Sequence, residues 1–403
     1  MTCHFRVFFV ALIRQFPGKT LVQESLIISN LKSLLLKFIV LTAMLLGLPI
    51  LGLTLAGHPL LQYLEFPPQT LYVQPAPFLG MVFWGYSFFI LAVCLPLAIN
   101  ALKSIKFRKL KISPSGVFPW WGWLGLAFGF GSWILAWSRF NWFSDFQPHT
   151  FTPLWISYIL VVNALKYQRT GQCLLISTPV YFLSLFPLSA LFWWFFEYLN
   201  RFVQNWYYQS PDFSAAEYFW YATLSFSTVL PAVLGTRDLI LKTGWLQGGY
   251  KHYIILHWPR PKLLALITLF FSIIGLAGIG VWPNHLFALL WISPLLIIVS
   301  LQELMNEPHV LTGVARGDWR LVISSAVAAL ICGFFWEMWN HYSYARWVYR
   351  IPFVHRFQMF EMPLLGYAGY LPFGLQCTVV GGMLERLGQS WQQKHALPAS
   401  AKS

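Results

Sequence analysis

Charge is scarce in this chain, and negative charge is scarcest: 13 Asp and Glu stand against 27 Lys and Arg in 403 residues. Only 10% of residues are charged and 57% are hydrophobic, whereas soluble domains carry about 25% charged residues. A water-soluble fold is excluded. Cysteine supplies no framework either. Cys3, Cys94, Cys173, Cys332 and Cys377 are scattered, with no Cys-x-x-Cys pair, so neither a disulfide scaffold nor a zinc site is indicated. The histidines show no paired spacing that would ligate haem. No metal and no cofactor is expected. The stretch Phe5 to Ile13 lacks a small-residue cleavage site, which argues against a removable signal peptide. Arg6, Arg14 and Lys19 around it fit an interfacial segment at lipid phosphates.

Long apolar runs are what the chain has. Crossing the hydrocarbon takes about 20 apolar residues of helix, and ten spans are expected, at about 33–56, 76–101, 117–137, 151–166, 173–197, 216–236, 262–282, 286–302, 321–340 and 359–384. The fold class is therefore all-α, a polytopic integral membrane helical bundle. An even span count puts both termini on one side. With both in the cytoplasm, 22 of the 27 basic residues are cytoplasmic or in the first helix, leaving Arg139, Arg201, Arg346, Arg350 and Arg356 outside. That asymmetry follows the positive-inside rule, and the expected location is a bacterial inner membrane. The net charge of +14 then reflects topology and anionic lipid, not nucleic acid.

The expected organisation is an N-terminal segment (1–32), helices one to four (33–166), a hairpin (173–236), a basic cytoplasmic loop (237–261), helices seven and eight (262–302), a second hairpin (321–384) and a cytoplasmic tail (385–403). The two hairpins share a phrase. Phe196-Glu197-Tyr198-Leu199-Asn200 reappears as Trp336-Glu337-Met338-Trp339-Asn340. Each copy leads into an aromatic link, Asn205-Trp206-Tyr207-Tyr208 then Pro211, or Arg346-Trp347-Val348-Tyr349 then Pro352. A further glutamate follows, Glu217 or Glu361, expected to open the next helix. Four helices separate the copies, so the repeat should be parallel, with its axis near the membrane normal. Trp137 to Trp142 resembles a degenerate third copy, with Ser138 where the glutamates stand.

Ionisable residues in membrane helices are costly and mark functional sites. Glu and Asn three residues apart share a helix face, and an Asn can orient a carboxyl in either protonation state. Glu337, Glu197, Glu361 and Glu217 are the candidate acid/base groups. Asn340, Asn200, Trp347, Tyr349, Trp206, Tyr208, Arg346 and Arg350 are the candidate binding residues. The plainer reading makes each glutamate a headgroup-level helix end and the Trp and Tyr residues an interfacial belt. Pro231 and Pro372 are expected deep in the second helix of each hairpin, beside a cavity.

The Trp-Glu-x-x-Asn phrase, the Trp-x-Tyr beyond it and the later glutamate resemble the integral-membrane lycopene cyclase domain and related membrane terpene cyclases, over about 196–234 and 336–377. That resemblance implies duplicated helical units whose acids protonate an isoprenoid double bond or epoxide without a metal. The family's Pro-x-Glu-Glu/Asp phrase has no counterpart here, since Glu361 precedes Met362-Pro363. Three functions remain open: an acid–base enzyme on a lipidic substrate, a proton-coupled transporter or flippase, and a non-catalytic scaffold. Membrane lipids are the expected surroundings, a lipidic small molecule is the expected ligand, and no protein partner is specified.

Overall fold

Apolar chain in a membrane must satisfy its backbone internally, and helices dominate the chain. The computed structural model describes residues 21–107, 116–209 and 212–395. The segment before Leu21 that was expected at the interface, the basic residues Arg108, Lys109 and Lys111, Pro211 and the end of the tail lie outside them. The chain divides into two units, 1–48 and Pro49–Ser403. The first contributes the helical residues 21–48 of α1 (Leu21–Leu55). All that follows concerns the second.

Its longer helices are α2 (Gly80–Phe107), α3 (Trp120–Trp137), α4 (Phe151–Thr170), α5 (Pro179–Val203), α6 (Ala215–Phe226), α7 (Val229–Leu241), α8 (Gly244–Tyr250), α9 (Pro261–Gly278), α10 (Leu289–Leu304), α11 (Arg320–His341) and α12 (Tyr370–His395). Among the described residues, five stretches are long and apolar enough to cross a membrane: Gly80–Ile105, Pro179–Val203, Ala215–Leu241, Pro261–Gly278 and Arg320–His341. Ile39–Leu55 and Leu289–Leu304 are apolar but shorter.

Three expectations need correction. The last helix starts at Tyr370 rather than near 359, because a small hairpin and a 3-10 turn (Leu364–Gly369) occupy the interval. Glu361 therefore sits in the turn between β3 (Gln358–Met359) and β4 (Met362–Pro363), not at a helix start. Pro231 and Pro372 are not deep in helices. Each is the third residue of its helix, α7 or α12, where a missing N–H costs no intrahelical bond. The break before α7 is bridged by Ser189 of α5, whose hydroxyl donates to Phe226 O at 2.6 Å and accepts from Leu230 N at 2.9 Å.

Between membrane helices there is no hydrophobic driving force, so small residues and hydrogen bonds set the packing. At the α11–α12 contact, a Cβ on Gly374 would overlap the Ser325 carbonyl, and the Ser325 and Thr378 hydroxyls bond at 2.7 Å. On the other side of α11, Tyr158 of α4 and Thr236 of α7 bond at 2.9 Å beside Cys332. Helix α2 is tied at its ends. Leu79 N donates to Phe353 O at 2.9 Å, and Asn100 Nδ2 to Gly249 O at 2.8 Å. Its middle carries exposed Trp84, Phe88 and Phe89.

The two aromatic links, which sequence reading left as connections, are strands. β1 (Trp206–Gln209) pairs antiparallel with β2 (Arg346–Tyr349), aligning Trp206 with Tyr349, Tyr207 with Val348 and Tyr208 with Trp347. The stretch that resembled a third copy forms no such strand: Asn141 opens a 3-10 segment reaching His149.

Candidate functional site

Each glutamate projects from the last turns of its helix, and each asparagine one turn on fastens the link that follows. Asn200 Nδ2 donates to Trp206 O at 2.8 Å, and its Oδ1 accepts from Asn205 N at 2.8 Å. Asn340 Nδ2 donates to Trp347 O at 2.8 Å, and its Oδ1 accepts from Trp347 N at 2.9 Å. The asparagines therefore hold backbone, not the carboxyl groups on their own helix face. That fastening turns each link back across its glutamate.

Glu197 Oε1 receives the Trp193 and Trp206 indoles at 3.0 Å each and the Tyr208 hydroxyl at 2.5 Å. Glu337, completely buried, receives at Oε1 the hydroxyls of Tyr349 at 2.7 Å and Tyr370 at 2.5 Å. The Trp347 indole donates to the Tyr349 oxygen at 2.8 Å, one step further from its glutamate than Trp206 is from Glu197. Glu337 Oε2 is buried without a partner among the described residues. Burial, reinforced by the facing glutamate, holds the phenols of Tyr208 and Tyr349 well above the usual tyrosine value. Both stay protonated at neutral pH.

Tyr370 was not anticipated. It comes from the start of α12 and reaches Glu337 because Gly333, one turn earlier on α11, leaves room for its ring; a Cβ there would overlap it. The offset linking Trp206 to Trp347 maps Tyr370 onto Val229, so the duplication carried no signal for it.

The later glutamates lie elsewhere. Glu217 is exposed and closes a capping box: Ser214 N and Oγ donate to its carboxylate at 2.9 and 2.7 Å, and Glu217 N donates to Ser214 Oγ at 3.4 Å. The Ser-x-x-Glu spacing signals such a cap in sequence. Glu361 pairs with Arg346 at 3.2 Å and faces His341 at 3.4 Å. Arg346 also donates to Gln209 at 3.2 Å. Arg350 enters the site through its backbone, donating to Asn205 O at 2.7 Å. Beside the first copy, Arg201 meets Glu65 at 3.3 Å. The Thr70 backbone N–H, helped by its hydroxyl and by Arg201, keeps Glu65 below the usual carboxylate range.

Between the two copies lies a cavity of about 480 Å³, walled by Trp193, Trp206, Tyr208, Trp336, Trp347, Tyr349 and Tyr370, and closed on one side by the middle of α2. The tyrosines that touch both glutamates thus line one chamber, and the glutamates stand behind them. Such a chamber suits an apolar ligand, and the tyrosines can pass a proton between it and a buried carboxyl. Among the described residues, no three His, Cys, Asp or Glu side chains gather as metal ligands. No family model, no curated protein and no solved structure matches the chain.

Proposed function

We propose that this chain is a multi-pass inner-membrane enzyme that performs acid–base chemistry on an isoprenoid or other lipidic substrate held in the cavity. The carrying observation is that tyrosines lining one apolar chamber are hydrogen-bonded to glutamates behind it, on both sides. In this reading Glu337 is the proton source, acting through Tyr349 or Tyr370. Glu197, through Tyr208, takes the proton back, and the aromatic walls stabilise positive charge in between. This is the chemistry that a cyclase-like site requires.

The same proposal includes ten spans, cytoplasmic termini and a parallel duplication about an axis along the membrane normal. Support for the duplication comes from the ladder. One constant offset carries Trp206 to Trp347, Tyr208 to Tyr349 and Pro231 to Pro372. Applied to the pair Trp206–Tyr349, it returns the pair Tyr208–Trp347, as a twofold relation requires. A cysteine placed at Lys106 should be labelled from the cytoplasmic side only.

A proton-coupled transporter or flippase is the second reading. It is favoured by the exposed middle of α2, which leaves the cavity wall thin on the lipid side. Lipid extracts of cells with and without the gene separate the two. A product that depends on the gene supports the enzyme; an unchanged lipid profile leaves transport.

A further inference from the structure

The connection between α8 and α9 carries its apolar side chains outward. Ile254, Ile255, Leu256 and Trp258 are all exposed, Ile255 at 66% and Trp258 at 57%. They lie in irregular chain, and its backbone is docked against the loop before α11. Tyr253 N donates to Gly317 O at 2.9 Å and Leu256 N to Val314 O at 3.4 Å, while the Trp319 indole donates to Ile254 O at 2.6 Å. Gly317 permits this approach. Its φ is +77°, and a Cβ there would press on Ile255 and the Tyr253 backbone. The near end is fastened to α2, where Tyr250 donates to Leu97 O and Tyr253 to Pro96 O. The four apolar side chains are left on the outer side of a fixed segment.

Cations surround this strip, and no acid balances them. Lys251, Arg260, Lys262 and Arg316 are exposed and make no ion pair among the described residues. Between Asp238 and Glu303 the chain has no acidic residue. Those two acids, and Asp318 beside the docked loop, are already paired: Asp238 with Lys166 at 2.8 Å, Glu303 with His309 at 2.9 Å and Asp318 with Arg320 at 2.7 Å. Pro261 opens α9, which is long and apolar enough to cross a membrane. With α9 spanning, the strip stands where that helix meets the bilayer surface.

We propose that the segment 251–262 is a surface anchor for anionic phospholipid. Ile254, Ile255, Leu256 and Trp258 enter the interfacial layer, and Lys251, Arg260, Lys262 and Arg316 gather the lipid phosphates. The backbone sets the depth. Irregular chain leaves N–H and C=O groups that hydrocarbon cannot satisfy, so the segment stops at headgroup level, where Trp and short apolar stretches are favoured. Neutral phospholipid suits the apolar side chains equally well, but only an anionic headgroup answers four unpaired cations. A second copy of this chain would bring the same cations together across a twofold contact, and like charges oppose that. Anchoring of this kind requires no chemistry in the cavity.

The test uses the full chain in phosphatidylcholine nanodiscs, with and without phosphatidylglycerol. A water-sensitive fluorophore is attached at Ile255→Cys, with Cys3→Ser and Cys94→Ser to remove competing thiols, since Cys173, Cys332 and Cys377 are buried. Its emission should be blue-shifted and quenched by a doxyl group just below the headgroups, more strongly with phosphatidylglycerol present. A photoactivatable phosphatidylglycerol should label peptides spanning 251–262 and 314–317 in preference to a phosphatidylcholine probe of equal chain length. Each cation near an anionic surface is worth about fivefold in affinity, so Lys251→Gln with Arg260→Gln should lower that preference roughly twentyfold. Both side chains are exposed and unpaired, so the melting temperature in pure phosphatidylcholine should not change. A fluorophore that reports water in both bilayers overturns the proposal. Equal labelling by the two lipids, or a preference that survives the double substitution, does the same. Shielding that tracks the appearance of a dimer in detergent would assign the strip to a second copy instead and equally defeat the lipid anchor.

Discussion

The two copies hold their glutamates with different kinds of donor. Around Glu197, two of the three groups are indoles, which only donate. That shell fits an acceptor and resists reversal. Around Glu337, the groups bonded to Oε1 are two hydroxyls, which donate or accept as needed, and Oε2 has no partner among the described residues. The same skeleton thus occurs twice, a clamped link and a tyrosine on a glutamate. The two sites differ at Tyr370 and in the reach of the tryptophan, and in the proposed chemistry that difference makes Glu337 the reversible partner and Glu197 the fixed one.

The largest expected effect breaks the symmetry at the glutamates. Glu337→Gln should keep the fold, since the amide is nearly isosteric, and should reduce product formation by about 10²–10⁴, the usual worth of a general acid. Glu337→Asp should retain part of the activity. Glu197→Gln should cost less activity and more stability, because the amide is a poorer acceptor for three converging donors. Lipid extraction and thermal unfolding of the same variants read both quantities. Equal losses in the two copies would remove the division of labour.

Next come the tyrosines. Tyr349→Phe breaks one of two routes from Glu337 to the cavity, and Tyr370→Phe breaks the other. Each single change should lower the rate about tenfold and the pair should approach Glu337→Gln. Tyr208→Phe removes the only hydroxyl on Glu197 among the described residues and should show no such compensation. If the double change is no worse than either single one, the hydroxyls are not parallel routes.

A smaller effect sharpens what the copies share. Asn200→Ala and Asn340→Ala each release a buried link from its helix, at about 1–3 kcal/mol by the cost of orphaned buried backbone groups. The two losses should be of the same order, because each asparagine holds one backbone C=O and at least one backbone N–H of its link. A large difference in melting temperature between them would mean that the ladder, not the asparagine, holds one link in place.

Much of this pairing was legible in the sequence, for a physical reason. Glu-x-x-Asn on a helix and Trp-x-Tyr on an extended link each have a local period, and the duplication displayed both twice. Tyr370 and Asn205 were not legible. Tyr370 reaches Glu337 through a helix contact opened by Gly333, and no local spacing records a contact between helices. The side-chain oxygen of Asn205 has no partner among the described residues, and only a packed structure shows that. The start of α12 lies later than the sequence suggests because apolar Met362 to Leu365 reads as helix, although Pro363 and the turn at Phe360, with its left-handed φ of 59°, break it there.

Glu217 tests the boundary of the comparison. Sequence position made it the counterpart of Glu361, a second acid after each link. In the fold, Glu361 is paired with Arg346 at the cavity's edge, while Glu217 is spent on the first turn of α6. A capping residue acts on its own helix, so Glu217→Ala should slightly lower the melting temperature. Ser214→Ala should do the same, and combining them should add little, because both remove one box. Product formation should stay within about twofold in all three, well short of what a lost acid–base group costs. Glu361→Gln, by contrast, frees Arg346 on the cavity wall and should alter substrate binding more than rate. If Glu217→Ala cuts turnover as deeply as Glu197→Gln without loss of stability, the capping box is incidental. The first copy would then hold a carboxylate pair after all.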